Sequence, residues 1–362
     1  MIDFQDLFKT DDLWSYLTKT DKPIVLYGMG DGADKILAVL EQKNIAVSGI
    51  FASDDFVRGQ SFHSFQVQRY DYFRGNLKEF IILVCFATRL PEVMQTIKTL
   101  SLENELYAPD VPVFGEGLFD SEYLLKHRQE LEFIYSHLCD IQSQKVFTNC
   151  LAYKITGKIE FLFECESDVG EAYESIVQPK EKDCYVDIGA YTGDTINEYL
   201  AFAGTNVDLI AFEPDVKNYA RLCKNTADIP AKSVSLHNIA AWDKREELTF
   251  FSRSGRNSAK TTSSQSAKSI VVNADTVDSY IKSRVDYIKI DAEGSDLNVL
   301  CGLEQTIRQY KPTICAAVYH RNEDLFVLPN KILSICPEYR LYLRHFPYIP
   351  GWDTNIYAKF RK

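Results

Sequence analysis

Short apolar runs alternate with stretches of helical periodicity along most of the chain, the pattern of parallel sheets built from strand–helix–strand units. In the first third, apolar runs at 24–27, 46–51 and 80–86 predict strands, and the spacing over 34–43 predicts a helix between the first two. Leu124, Leu125, Leu131, Phe133, Ile134, Leu138 and Ile141 then recur at helical spacing with charges between them, which predicts a helical connector over 121–154. The aromatic-rich stretch after it, 159–173, suits either a cap over a downstream site or plain packing, the commoner use of such aromatics.

Beyond the connector the alternation resumes. A strand ending in Asp187, a turn with Gly189 and Gly193, a helix, and a second strand ending in Glu213 make one βαβ unit; the 26-residue spacing of the two acids fits a parallel crossover. A helix over 215–225 and strands at 233–238, 247–252 and 269–272 follow, with the serine-rich run 258–269 read as a mobile loop. Then come a helix at 276–283, a strand at 286–291, a helix at 296–309, a strand at 313–319 ending at His320, and strands at 339–345 and 355–360. The last three strands are expected to form an antiparallel edge. The whole reads as an α/β chain of two Rossmann-like domains, 1–120 and 176–362, joined by a helical connector or cap at 121–175.

At 362 residues there is chain enough for two cores. The formal net charge of −11 argues against a nucleic-acid-binding surface, which needs clustered Lys and Arg. No run reaches the roughly 18 apolar residues of a spanning helix, and the acidic start MIDFQDLFKTDD has no signal-peptide pattern. Nine cysteines without a CxxC pair, some inside apolar runs as Cys85 and Cys315 are, read as buried thiols of a reducing, cytoplasmic compartment.

Asp187 decides which ligand its turn suits. Dinucleotide turns place glycine early, so that amides and helix dipole approach a pyrophosphate without added negative charge. A carboxylate there repels a pyrophosphate but suits a ligand carrying an ammonium and a sulfonium, which points to S-adenosylmethionine. The N-terminal turn differs. Gly28, Gly30 and Ala33 stand at G-x-G-x-x-A spacing after the first strand, with Gly32 among them and Asp54 and Asp55 near where a ribose-binding acid falls. This turn reads equally as a second site, for a nucleotide or nucleotide-sugar, and as a bend that lets a helix pack on its strand. Residues 59–67, GQSFHSFQV, resemble the turn after the second strand of small sugar-nucleotide-binding Rossmann domains.

The second half resembles the FkbM family of S-adenosylmethionine-dependent methyltransferases through VDIGAYTGDT at 186–195, FEPD at 212–215, NIAAWD at 238–243, IKIDAEGSD at 288–296, and the tail pieces VYHRNEDL and LYLRHF. The resemblance implies a class I methyltransferase sheet of seven strands with helices on both faces. It places Asp187, Gly189, Ala190, Tyr191 and Gly193 along the methionine end of the cofactor, with Thr192, Asp194 and Thr195 at the helix start whose amides bind its carboxylate. In this reading Glu213, beside Pro214, accepts from both ribose hydroxyls; its alternative is an exposed strand-end acid. Asn238, Ala240, Ala241 and Trp242 fall where adenine is held, Trp242 either stacking on the base or joining the core.

Asp291 and Glu293 stand at the end of the fourth strand, where open α/β sheets put their working residues. Asp291 suits three roles: orienting an acceptor hydroxyl, ligating a metal, or holding the methionine ammonium. Capping the next helix falls more readily to Ser295 or Asp296. His320 and His345, each at a strand end, are the candidate bases for a hydroxyl proton. With no His/Cys cluster for zinc and no third ligand beside Asp291 and Glu293, no metal is expected. The implied activity is O-methyl transfer to a hydroxyl of a sugar, glycan or polar secondary metabolite. The N-terminal half is then expected to hold the acceptor, or its nucleotide handle, or to make homodimer contacts. The rival classes are an oxidoreductase binding NAD(P) at the N-terminal turn and a non-catalytic binding module.

Overall fold

The computed structural model describes residues 2–252, 258–259 and 268–361. Its first sheet contains β1 (Ile24–Tyr27), β2 (Gly49–Phe51), β3 (Ser61–Phe62), β4 (Phe65–Gln68), β5 (Ile81–Val84) and β6 (Glu105–Tyr107), in the order β3-β4-β2-β1-β5-β6. All pairs are parallel except the β3–β4 hairpin. Every residue of β1 and β5 is buried, as continuous apolar runs are when helices cover both faces. The helix Asp31–Gln42 starts three residues earlier than its periodicity suggests, because Gly30, at φ +103, leads straight into it.

The connector is three helices, Ser121–Lys126, Arg128–His137 and Ile141–Thr156. Asp120 and Asp140 cap the first and third by accepting from the N–H of Tyr123 and Ser143, and Gly157, at φ +65, ends the third. The third helix is buried on nearly every side. Tyr153 joins the core under the first sheet, while Val146, Phe147, Leu151 and Ile155 join the core of the second. The aromatic stretch after it also packs: Ile159, Leu162 and Tyr173 are buried.

The second sheet comprises β7 (Cys184–Ile188), β8 (Asp208–Phe212), β9 (Ser233–His237), β14 (Tyr287–Ile290), β15 (Thr313–Ala317), β16 (Tyr339–His345) and β17 (Thr354–Phe360), ordered β16-β17-β15-β14-β7-β8-β9. The intervening β10 (Ala240–Ala241), β11 (Glu246–Ser252), β12 (Ser258–Ala259) and β13 (Lys268–Asp275) form a four-stranded sheet ordered β10-β13-β11-β12. The expected antiparallel edge is present: β17 inserts between β15 and β16 antiparallel to both, while β15 runs parallel to β14 and so joins the edge to the rest of the sheet. The helix expected at 276–283 is a single turn, Val277–Ser279. That expected at 296–309 is two, Asp296–Cys301 and Glu304–Tyr310, split at Gly302, where a Cβ would lie 1.9 Å from the Trp242 carbonyl oxygen. Of the serine-rich loop, 260–267 lie outside the described residues; its flanks pair as strands.

The carboxyl-terminal edges of the two large sheets meet. Thr88, just past β5, exchanges backbone hydrogen bonds with Ile349, in the loop after β16 (2.7 and 2.9 Å). The segment after β6 crosses to the ends of β14 and β15, where Phe114 N–H donates to the His320 carbonyl (3.0 Å) and Asn322 Nδ2 to that of Gly117 (3.3 Å). The carboxyl-terminal strand ends of both sheets thus border one region, the position where open α/β sheets have their ligand crevice. No described helix is long and apolar enough to cross a membrane.

Candidate active site

The turn after β7 is built by close approach. Gly189, at φ +78, lies so near the end of β14 that a Cβ would come within 1.9 Å of the Asp291 carbonyl oxygen. Gly193, at φ +88, closes the turn by donating to the Ala190 carbonyl (2.8 Å) and opens the helix Asp194–Ala203. Asp187 is 1% exposed; its Oδ2 accepts from Thr195 Oγ1 (2.7 Å), while its Oδ1 has no hydrogen-bond partner. Burial pushes Asp187 up, against the pull of Lys289 and Thr195. Tyr191, at φ +48 and 47% exposed, stands at the lip. Thr192 is held from below, its carbonyl accepting from Asn225 Nδ2 (2.8 Å).

Glu213 is 5% exposed, not the exposed acid of its alternative reading. Its Oε2 accepts from Tyr191 N–H and its Oε1 from Asp215 N–H (both 2.9 Å), which ties it to the glycine turn and leaves a lone pair on each oxygen. Asn238 Nδ2 donates to the carbonyls of Glu213 and Pro214 (2.8 and 3.1 Å), bringing these three together. Ala240 and Ala241 are buried in β10 against β13. Trp242 packs beside Leu248 and Val272 and donates through Nε1 to Glu246 Oε1 (2.8 Å), a core-like setting.

At the ends of β14 and β15, charges gather around one imidazole. His320 is 1% exposed. Its Nδ1 lies 3.1 Å from Asp296 Oδ2, and its Nε2 lies 3.3 Å from Asp291 Oδ1 and 3.8 Å from Glu293 Oε2. Lys289 Nζ is 3.4 Å from Asp291 Oδ2, and Tyr319 OH donates to Asp291 Oδ1 (3.4 Å). Burial opposes the charge on His320, yet Asp296 and Asp291 outweigh it and hold its pKa well above the usual value. Burial likewise opposes Asp291, but Lys289 and His320 hold it well below the carboxylate range. Glu293 is pushed up to about 7, mainly by burial.

Three of these residues escaped the sequence reading as functional groups. Asp296 accepts from the N–H of Ala292 and Gly294 (2.9 and 3.1 Å) besides facing His320, so it fixes both the turn and the ring. Lys289 is a charge inside an apolar strand, a signal visible in the sequence. Phe114, with its ring 6.1 Å from that of His320 and packed on Gly294, comes from the other half of the chain, and nothing local announces it.

His345 is not part of this group. It is 0% exposed at the end of β16, with Nδ1 2.9 Å from Thr354 Oγ1 and its backbone tied to Ser167 (2.8 Å). In this packed position none of the residue is exposed, and its Nε2 is buried without a hydrogen-bond partner. The N-terminal turn is also accounted for largely by packing. A Cβ on Gly28 would meet the Phe86 ring at 2.5 Å, and one on Gly32 the Cys85 carbonyl at 2.3 Å; Gly30 alone faces open space. Asp54 is exposed, 3.7 Å from Arg69, and Asp55 is exposed beside it.

Strand-end acids, the glycine turn and the 3-2-1-4-5-7-6 order of the second sheet place the chain among methyltransferase folds, and residues 187–349 match the methyltransferase FkbM domain. The second half is an FkbM domain. Among solved structures the chain is similar to a methyltransferase FkbM from Methylobacillus flagellatus KT, with a TM-score of 0.71 over 93% of this chain and 90% of that one. Identity is 18%, so the likeness is one of fold. Partial likenesses, with TM-scores of 0.35 and 0.33, link it to a precorrin-6y C5,15-methyltransferase from Geobacter metallireducens GS-15 (14% identity, 53% of this chain and 87% of that one) and to Aeropyrum pernix fibrillarin in complex with natively bound S-adenosyl-L-methionine (12%, 49% and 67%). No curated protein matches the chain. The FkbM domain contains every residue of the Asp187–Glu213–Asp291–His320 constellation.

Proposed function

We propose that the chain is an S-adenosylmethionine-dependent O-methyltransferase acting on a hydroxyl of a sugar or similarly polar acceptor held in the crevice between the two sheets. The observation that carries this reading is the orphaned Oδ1 of Asp187, a buried carboxylate oxygen on the strand that leads into the glycine turn. A buried acceptor without a partner is costly, and a ligand ammonium would satisfy it. Tyr191, Thr192 and Gly193 fit the methionine end, and the spare lone pairs of Glu213 fit ribose hydroxyls. When bound, the cofactor supplies an electrophilic methyl group. The chain's own part is to hold the acceptor oxygen in line with it, where most of the rate gain of such a displacement lies. The hydroxyl proton leaves toward Glu293, whose pKa is pushed up to about 7, while Asp291, held charged beside Lys289 and His320, helps to orient the hydroxyl.

The test is calorimetric titration of the whole chain with S-adenosylhomocysteine and, separately, NAD. S-adenosylhomocysteine is expected to bind, and Glu213→Ala to weaken it at least about tenfold, since hydrogen bonds to a charged group contribute about 1.5–3 kcal/mol each. Binding of NAD alone, indifferent to Glu213→Ala, would move the active site to the N-terminal turn and overturn the proposal.

A further inference from the structure

The carboxylates beside His320 lack a third ligand in the sequence; the fold supplies one. Nε2 of His320 is buried without a hydrogen-bond partner, since Asp291 Oδ1 at 3.3 Å lies off its axis and Glu293 Oε2 at 3.8 Å is out of reach. The opposite nitrogen is pinned by Asp296 Oδ2, itself fixed by the Gly294 amide. An imidazole held through one nitrogen by a carboxylate, with the other facing two more carboxylates, is the arrangement of a metal-ligating histidine and its supporting acid.

We propose that His320 Nε2, Asp291 and Glu293 bind one divalent first-row transition ion at the crevice end of β14 and β15. Ligand atoms ~2.0–2.1 Å from a tetrahedral ion stand ~3.3–3.4 Å apart, the His320–Asp291 separation already present. Glu293 Oε2, 3.8 Å from Nε2, has to swing toward both Nε2 and Asp291 to complete the set, and its side chain is half exposed. Charge agrees. Asp291, Glu293, Asp296 and Asp324 cluster about one imidazole, and Lys289 pairs with Asp291 alone among the four. The neighbouring trio Asp296, His320 and Asp324 is the weaker candidate, because both oxygens of Asp296 are engaged by amides. Imidazole with two carboxylates suits Mn²⁺, Fe²⁺, Co²⁺ or Zn²⁺ better than Ca²⁺. If the methyl-transfer reading holds, an ion here would bind the acceptor oxygen and ease loss of its proton.

The experiment is titration of the chelator-treated whole chain with Mn²⁺, followed by electron paramagnetic resonance, with Zn²⁺ as competitor. One Mn²⁺ per chain is expected. Glu293→Gln and Asp291→Asn should each weaken it about tenfold or more while circular dichroism stays unchanged. Glu293→Gln alters a half-exposed side chain and keeps the test open should Asp291→Asn fail to fold. No saturable site up to about 1 mM Mn²⁺ or Zn²⁺, or binding unchanged in folded Glu293→Gln, overturns the proposal. Titrating the same samples with S-adenosylhomocysteine separates the two readings. Its binding without metal binding sinks only the metal site, and metal binding without it sinks only the methyl-donor site.

Discussion

Glu213 and His345 are both buried where a charge is expensive, and they pull stability in opposite directions with pH. Burial pushes Glu213 up to about 7, against the two amides that favour its charge. The native state therefore holds this proton more tightly than the unfolded chain, whose value is near 4.5. Stability from this group is complete below that value and is lost as pH rises through about 7, about 3 kcal/mol in all. Burial pushes His345 down to about 4 from an ordinary 6.5, so its contribution, also about 3 kcal/mol, is present above 6.5 and is lost as pH falls through about 4. Melting temperatures of the ligand-free protein should show it. Glu213→Gln should gain on the wild type between pH 5 and 8, and His345→Asn should gain on it between pH 6.5 and 4. Differences that stay flat with pH would mean these groups are already solvated.

At the scale of the element, the two glycine turns make contrasting predictions. Gly189→Ala forces a Cβ into the Asp291 carbonyl and strains φ at +78, so it should cost at least about 3 kcal/mol in urea unfolding and abolish S-adenosylhomocysteine binding. Gly30→Ala meets nothing and carries only the conformational cost, about 1–3 kcal/mol, with binding retained. Equal losses in both would show that backbone strain, not the contact between β7 and β14, governs the turn. The same elements show what the sequence makes legible. Runs such as Ile81–Val84 and Cys184–Ile188 announce strands because both faces are covered, and acids at the ends of such runs stand out as candidates. The helix Asp324–Ile335 escaped detection, since its DLFVLPNKILSI is apolar nearly throughout and Pro329 sits inside it. A helix buried this fully loses its amphipathic period. The place of β17 between β15 and β16, and the reach of Asp296 and Phe114 to His320, depend on contacts far apart in the chain, which local periodicity does not encode.

At the scale of the molecule, the two halves share their interior. Phe4 and Leu7, near the start, belong to the same apolar core as Val186, Ile288 and Ile314 of the second sheet. The helix Ile141–Thr156 fills both cores, and Lys154 pairs with Asp110 (2.7 Å), each under a tenth exposed. Cutting at residue 176 would strip this helix from β16 and expose its apolar footprint, at a cost of roughly 25 cal/mol per Å². A fragment 176–362 is therefore expected to aggregate or remain unfolded, and the whole chain to melt in one calorimetric transition with a van't Hoff to calorimetric enthalpy ratio near one. Two separated transitions, or a folded fragment that binds S-adenosylhomocysteine as the whole chain does, would show the halves to be independent. The difference bears on function. Phe114 and the Thr88–Ile349 pairing reach the strand ends of the second sheet from the first half, so if the interior is shared, the acceptor site we propose there belongs to the whole chain and cannot be carried by the FkbM domain alone.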